Sequence, residues 1–271
     1  MSVDVKTREQ LREETLAKIP EFKLMDDTYM TAFFNDRLDL IQFVLRIIMG
    51  NNKLVVKSVK TQKVLKNIQG RSITLDVYAV DENGTLMNIE VQQDSSGAKP
   101  KRARYHSSLI DSNSLLPGDD YEKLPETYVI FITVHDYWRK GLPIYTINRH
   151  IEELDMIPFG DEEHIIYVNG ENADDTPLGK LMHDFKCTRP KDMYYPNLAE
   201  RAHYLKETEG GRDSMCKIMD EISNERERQK AIQIAINLLK MEIASEEKIA
   251  QATGLSIDEI NALSAMLKAP A

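Results

Sequence analysis

Two alternating runs joined by a short turn constrain the fold of this chain most. Residues 75–93 read LDVYAVDENGTLMNIEVQQ, and apolar and polar residues alternate on both sides of DENG. Alternation with this period predicts the two strands of an antiparallel hairpin, each with one apolar face. Asp76 lies in the first run and Glu90 in the second. Both occupy positions where a half-buried strand usually carries an apolar or neutral residue.

The length of the turn decides whether the two acids meet. A two-residue loop would pair Asp76 with Val91, a polar position with an apolar one, which a buried face disfavours. A three-residue loop at 82–84, with Gly84 in the left-handed conformation of a bulge, pairs Asp76 with Glu90 instead. We therefore predict that the two acids lie opposite each other, with Cβ atoms about 4.5–5.5 Å apart.

Two carboxylates at that distance form a candidate site for a hard divalent cation. Like charges this close repel each other unless a cation lies between them. Mg²⁺ prefers oxygen ligands and keeps several waters, which suits phosphate chemistry. Gln92 shares the face of Glu90; as an amide it can orient a water but cannot act as a base. The alternative is a pair of solvated carboxylates on an exposed hairpin, and the pattern alone leaves both interpretations open.

A basic cluster follows the hairpin and begins a predicted helix at about residue 101. The segment KPKRARYH contains Lys99, Lys101, Arg102, Arg104 and His106. A basic helix start beside a metal can hold phosphate groups. The alternative is an ordinary solvated helix face.

The order of predicted elements indicates an α/β fold. Residues 26–49 repeat apolar side chains at helical spacing, which predicts one helix, or two broken near Asn35, ending at Gly50. Residues 126–134 are dense in β-branched and aromatic side chains, as in a fully buried strand. A three-stranded meander followed by a crossover helix and a further strand completes the core. The remaining predicted strands are 53–61, 142–149 and 164–170.

Composition and patterning divide the chain into three regions. We expect a charged, helical N-terminal lead at 1–20, a core at 21–190 and a helical C-terminal region at 191–271. Residues 246–268 carry Ala250, Gly254 and Ile260 at a spacing that resembles a helix-turn-helix. Because this segment is acidic after its turn, we favour a packing role over DNA reading.

Charge and cysteine content narrow the classes of function. The formal net charge is -9, which argues against broad adhesion to nucleic acid, so a DNA role needs a local basic patch.

The two cysteines, Cys187 and Cys216, fit a reduced cytoplasmic protein better than a disulfide framework. His183 and Cys187 are four residues apart, but two ligands alone make a weak metal signal, and ordinary helix residues are the favoured interpretation. We expect no secretory signal and no membrane helix.

The hairpin motif resembles a known nuclease superfamily. Asp76, thirteen intervening residues and then Glu90-Val91-Gln92 resemble the active-site motif of the PD-(D/E)XK nucleases. More closely, the segments LDVYAVDENGTLMNIEVQQ, PKRARYHSSLID, LPETYVIFIT and HIIYVNG look like the PD-(D/E)XK nuclease family transposases of bacteria, which are related to the recombination-promoting nucleases. The resemblance covers roughly residues 21–225 and extends over several motifs in the same order.

The resemblance implies a restriction-endonuclease-like core, with a mixed sheet flanked by helices and a helical tail. It also implies a Mg²⁺-dependent DNA endonuclease of mobile-element or recombination biology, with Mn²⁺ as a substitute cofactor. Asp76 and Glu90 would be metal ligands, joined by the Val91 carbonyl and by Asp27 from the first core helix. Gln92, the third residue of the catalytic set, stands where the superfamily usually has lysine.

The same resemblance implies DNA as the partner. We also expect a cytoplasmic protein, because the sequence contains neither a secretory signal nor a membrane helix, and a second copy of the chain, in a homodimer, is a further candidate partner. DNA contacts are expected from Lys101, Arg102, Arg104 and Tyr105. The alternative function, favoured by net acidity and by Gln92, is a catalytically weak or inactive nuclease-fold protein. Such a protein would act as a nucleic-acid- or protein-interaction module.

Overall fold

The computed structural model describes residues 8–67 and 71–268. In these ranges the helices are α1 Arg8–Lys18, α2 Asp27–Phe34, α3 Leu38–Met49, α4 Pro100–Ser112, α5 Pro177–Lys186, α6 Pro196–Glu207, α7 Glu209–Met241, α8 Glu246–Thr253 and α9 Ile257–Lys268. The strands are β1 Val56–Leu65, β2 Ile73–Asp81, β3 Leu86–Gln92, β4 Thr127–Thr133, β5 Ile144–Ile147, β6 His150–Ile151, β7 Ile157–Pro158 and β8 Glu163–Asn169.

A mixed six-stranded sheet in the order β1-β2-β3-β4-β8-β5 forms the centre of the fold. Strands β1, β2 and β3 make an antiparallel meander, and helix α4 then leads into β4, which lies parallel to β3. Strand β8 is parallel to β4, and β5 completes the sheet antiparallel to β8. The predicted α/β architecture, a meander followed by a crossover, is therefore confirmed.

Both faces of the sheet are covered around its central strands. The consecutive residues from Val129 to Ile132 in β4 are all 0% exposed, although successive side chains point to opposite faces. Helix α4 contributes Ala103, Leu109 and Ile110 to a cluster with Phe131 of β4. Such two-sided burial explains the continuous apolar run that predicted this strand.

The first core helix has one of its two predicted forms, whereas the first strand has different bounds from those predicted. The first core helix is broken, with α2 ending at Phe34 and Asp36 adopting a φ of 55°, so the two-helix alternative is confirmed. Gly50, with a φ of 62°, ends α3 as predicted. Strand β1 begins later and extends further than the predicted 53–61, and Gln62, with a positive φ of 51°, lies in the part beyond the predicted end.

The turn between β2 and β3 has the predicted three-residue form. The backbone N–H of Asp81 donates to the carbonyl of Thr85 at 3.1 Å, which closes the loop. Gly84 has a φ of 91°, where a side chain is strained. The Asp81 carboxylate also accepts the backbone N–H of Thr85 at 2.8 Å and of Asn83 at 2.9 Å. The turn therefore fixes the register by backbone and side-chain bonds together.

Replacing Gly84 with alanine is expected to destabilise the protein by about 1–2 kcal/mol, because only the backbone strain of an L-residue is added. A Cβ at this position meets no atom within 4 Å, so no clash contributes. Gly210→Ala is the matched control: this glycine lies in helix α7 and is also open. Its replacement is expected to stabilise by about 0.5–1 kcal/mol. Urea denaturation measures both changes, and equal effects of the two substitutions would contradict the turn geometry.

The described chain divides into two compact units. One contains residues 8–65 and 73–216, and the other contains residues 66–67, 71–72 and 217–268. The domain boundaries expected from the sequence, at 20/21 and 190/191, stay a prediction. None of the described helices is long and apolar enough to cross a membrane.

The second unit contains the helix pair predicted at 246–268. Gly254, with a φ of 73°, ends α8 and donates its backbone N–H to the Ala250 carbonyl at 2.9 Å. Ile249 and Ile260 are both 0% exposed and belong to one apolar cluster. This burial supports the packing role. The first turn of α9 is acidic and would repel DNA phosphates, which argues against DNA reading by this helix.

Candidate active site

The register of β2 and β3 places the two predicted acids side by side. Val77 pairs with Ile89, so the next step of the ladder sets Asp76 across from Glu90. The backbone N–H of Asp76 donates to Oε1 of Glu90 at 3.2 Å. The register predicted from the turn length is thus confirmed.

The carboxylate of Glu90 is fully enclosed and held by several donors. Its side chain is 0% exposed, and that of Asp76 is also buried. Oε1 of Glu90 accepts the side-chain amide of Asn88 at 3.1 Å, and Oε2 accepts Nη2 of Arg102 at 3.2 Å. Nδ1 of His106 lies 3.7 Å from Oε1. The alternative of two solvated carboxylates on an exposed hairpin is therefore wrong.

Burial controls the ionisation of Glu90. Desolvation raises its pKa to about 7, against the lowering effects of the Arg102 charge and of hydrogen bonds from Asn88 and the Asp76 backbone. The negative charge of Asp27 at the start of α2 raises this pKa slightly further. A carboxyl group with a pKa near neutrality gains its charge readily when a cation binds beside it.

Arg102 connects Glu90 to Gln92. Its Nη1 donates to Oε1 of Gln92 at 3.1 Å and to the carbonyl of Gly97 at 2.9 Å, and its Nε donates to Nε2 of His106 at 3.2 Å. A Cβ on Gly97 would clash with Oε1 of Gln92, so a side chain at this position would displace the Gln92 amide. The guanidinium is thus fixed by four partners at the end of β3.

A comparison with protein families decides the classification. Residues 35–177, just over half of the chain, match the model of the PD-(D/E)XK nuclease family transposases. The chain belongs to this family. No curated protein and no solved structure matched it in the corresponding comparisons.

The mixed sheet flanked by helices is consistent with the PD-(D/E)XK fold, as the resemblance implied. The family match includes β2, β3 and α4, which carry Asp76, Glu90 and Arg102. The family match also supports a nuclease of the hydrolase class. The roles of individual residues remain predictions.

The four predicted DNA contacts of this PD-(D/E)XK family chain have different environments. Lys101 and Arg104 are exposed on α4. Tyr105 is partly buried and packs against the apolar cluster beneath the helix. Arg102 faces Glu90 and Gln92. Only the first two therefore form an exposed basic surface, and Arg102 belongs to the acidic centre.

Asp27 is held near the centre by contacts between the residue after β3 and the residues before α2. Gln93, next to Gln92, donates to Oδ1 of Asp26 at 2.6 Å and to the carbonyl of Met25 at 3.4 Å. These bonds tie the end of β3 to the start of α2, whose first residue is Asp27. Asp27, the third predicted acid, is thus held near the end of the strand that carries Glu90.

Sequence reasoning missed one residue of the centre and assigned another to the wrong environment. Asn88, two residues before Glu90 on the same strand face, donates to it while its own Oδ1 is buried without a hydrogen bond. His106 was expected among phosphate-holding basic residues, but it is 1% exposed, and this expectation is corrected. Its spacing of four residues from Arg102 was the available signal, since such residues share a helix face.

Proposed function

We propose that this chain is a Mg²⁺-dependent DNA endonuclease that hydrolyses phosphodiester bonds during transposition or recombination. The observation that carries the proposal is the adjacency of Asp76 and the fully buried Glu90 on neighbouring strands. Family membership supplies the reaction class. The basic residues on α4 supply a surface for phosphate.

The donor atoms around the two acids fit a hard cation. Carboxylate oxygens come from Asp76 and Glu90. Oε1 of Glu90 already accepts the Asp76 backbone N–H and the Asn88 amide, whereas Oε2, which accepts Arg102, keeps acceptor capacity for a cation. The backbone carbonyl of Gln92 points towards β4, where it accepts the N–H of Val134. Because successive carbonyls of a strand point in opposite directions, the backbone carbonyl of Val91 points towards β2. Asp27 would complete the set. An all-oxygen set of this kind suits Mg²⁺, and Mn²⁺ binds the same ligands.

A bound metal ion would polarise a phosphoryl oxygen and would lower the pKa of a water molecule bound to it. The protein supplies the positioning. The amide of Gln92 orients the attacking water by hydrogen bonds, since it carries no charge and takes no proton. Arg102 supplies the positive charge that the usual lysine would give, because its guanidinium lies between Glu90 and Gln92. His106 holds that guanidinium in place through its Nε.

The direct test is cleavage of supercoiled plasmid by the purified chain. Nicking that requires Mg²⁺ or Mn²⁺ and stops on addition of EDTA is the expected result. If neither metal supports nicking between about pH 6 and 9, where Glu90 changes its charge, the nuclease proposal fails.

The exposed pair on α4 gives a separate prediction about DNA affinity. Lys101→Ala combined with Arg104→Ala is expected to lower the slope of log K against log salt by about 2, because two phosphate contacts are lost. Binding is measured by fluorescence anisotropy in a calcium buffer that does not support cleavage. Lys123→Ala, at a side chain that is 65% exposed, is the control and should leave the slope unchanged. If the salt slope changes equally in the double variant and in Lys123→Ala, α4 is not the DNA surface.

A second function is favoured by one specific contact. The Arg102 guanidinium lies 3.2 Å from Oε2 of Glu90, so the chain itself supplies a positive charge beside this carboxyl group. A nuclease-fold interaction module, binding nucleic acid or protein without cleavage, would have this property. It predicts that DNA binding is the same with and without Mg²⁺, and that no metal binding depends on Asp76.

A further inference from the structure

Three different metal-ligating side chains meet at the end of helix α5. They are His183 and Asp184 in the last turn of the helix and Cys187 directly after it. One donor atom from each lies within 4.8 Å of the other two. The sequence interpretation counted only His183 and Cys187, and the structure adds Asp184 as a third donor.

The distances between these donors approach those of a tetrahedral metal site. Sγ of Cys187 lies 3.5 Å from Nδ1 of His183, and Nδ1 lies 3.2 Å from Oδ1 of Asp184. With zinc–nitrogen and zinc–oxygen bonds of about 2.0 Å and a zinc–sulfur bond of about 2.3 Å, tetrahedral ligands lie about 3.5 Å (N to S) and about 3.3 Å (N to O) apart. Two of the three donor–donor distances therefore already match a tetrahedral zinc site. Only the distance between Sγ of Cys187 and Oδ1 of Asp184 has to shorten when the metal binds.

The surroundings hold the carboxylate in position. Asp184 is 0% exposed, and its two oxygens accept the backbone N–H groups of Tyr194 at 2.7 Å and Tyr195 at 2.8 Å. The His183 ring packs edge-on against Tyr194, with centroids 4.6 Å apart. Supporting bonds of this kind orient the ligands of metal sites and leave each carboxylate oxygen with one further acceptor direction.

We propose that His183, Asp184 and Cys187 bind one Zn²⁺ ion. A thiolate together with an imidazole favours zinc over magnesium. The carboxylate oxygens of Asp76 and Glu90 suit magnesium instead. On binding, the Cys187 thiol gives its proton to solvent and forms the sulfur–zinc bond, and a water takes the fourth coordination place. All three ligands lie outside residues 35–177, the part of the chain that matches the nuclease family.

The place of the site in the fold indicates a structural role. The carbonyl of Phe185, inside the ligand segment, accepts the backbone N–H of Met25 at 3.1 Å. Lys206 donates to the carbonyl of Thr188, just after the ligands, and to the carbonyl of Phe22, just before α2. It therefore links the end of α5 to the start of α2 a second time. A metal ion at the end of α5 would therefore stabilise the stretch that leads into α2 and Asp27.

Cobalt is the probe that tests the proposal, because a thiolate ligand gives Co²⁺ a charge-transfer band in the near ultraviolet. The full chain, freed of metal under reducing conditions, is titrated with Co²⁺ in excess Mg²⁺. We expect one Co²⁺ per chain with this band, unaffected by Mg²⁺, and its displacement by one equivalent of Zn²⁺. Absence of the band, or its loss on adding Mg²⁺, overturns the proposal. Neither readout depends on nuclease activity.

Two substitutions with matched controls locate the ligands. Cys187→Ser is expected to abolish the band, and Cys216→Ala, which removes the other thiol, to retain it. His183→Ala should weaken Co²⁺ binding at least roughly tenfold, and the control His203→Ala should not. His183 is 41% exposed, so this variant is expected to fold even if changes at Cys187 prevent folding. A band that survives in Cys187→Ser, or unchanged affinity in His183→Ala, contradicts the site.

Discussion

Replacing Glu90 with glutamine is expected to reduce Mg²⁺-dependent nicking of plasmid DNA by roughly 10²–10⁴-fold. A metal ion contributes several kcal/mol of charge stabilisation in the transition state, and each 1.36 kcal/mol corresponds to about a tenfold change in rate. Glutamine keeps the shape of the side chain and can still bond to the Asp76 backbone, but it lacks the negative charge that holds the cation. The comparison uses initial nicking rates at saturating Mg²⁺.

The control for this substitution lies in the same hairpin. Glu82 is exposed in the three-residue turn, and Glu82→Gln removes the same charge from the same structure. It should leave the nicking rate unchanged. Equal rates for the wild type and Glu90→Gln would show that the observed cleavage does not use this centre, whereas equal losses in both variants would indicate a general effect of charge.

The second large effect concerns pH and stability. Burial raises the pKa of Glu90 from 4.5 to about 7. Between these values the folded state holds a proton that the unfolded state has released, so the free energy of unfolding falls as pH rises from about 4.5 to 7 and then levels off. At about 1.4 kcal/mol for each pKa unit, the expected loss is of order 3 kcal/mol.

Urea denaturation of the metal-free chain between about pH 4.5 and 8.5 measures this effect. Asp76, His106, Arg102 and Asp27 also act in this region, so the informative quantity is the difference between the wild type and Glu90→Gln. Glutamine does not titrate, and the stability of the variant should lose the descending slope. Mg²⁺ should stabilise the wild type more than the variant above pH 7, since it binds the charged form. Parallel curves for the two proteins would show that Glu90 ionises normally.

The hairpin register followed from the sequence because two local rules agree on it. Alternation fixes which residues share a face, and Gly84 fixes the turn length, so Asp76 could be placed opposite Glu90 without knowledge of the rest of the fold. The burial of β4 was equally local, since its run of apolar residues is continuous. These features depend on neighbours along the chain.

The environment of Glu90 depends instead on how α4 packs against the sheet. Nothing in the sequence sets the depth at which His106 is buried, or directs Arg102 towards Glu90 and Gln92, because both depend on contacts across the helix–sheet interface. The third donor near Cys187 was missed for a similar reason. Asp184 is oriented by backbone N–H groups ten and eleven residues further along the chain.

Isothermal titration of the metal-free chain with Mn²⁺ tests the central claim, an oxygen-ligand metal site at Asp76 and Glu90, most directly. The wild type and the control Asp155→Asn, which changes an exposed loop carboxylate, are expected to bind Mn²⁺ equally. Asp76→Asn should bind at least roughly tenfold more weakly, because a charged ligand is lost from a buried site. If Mn²⁺ binding is absent from the wild type or is the same in Asp76→Asn, the two acids do not form a metal site.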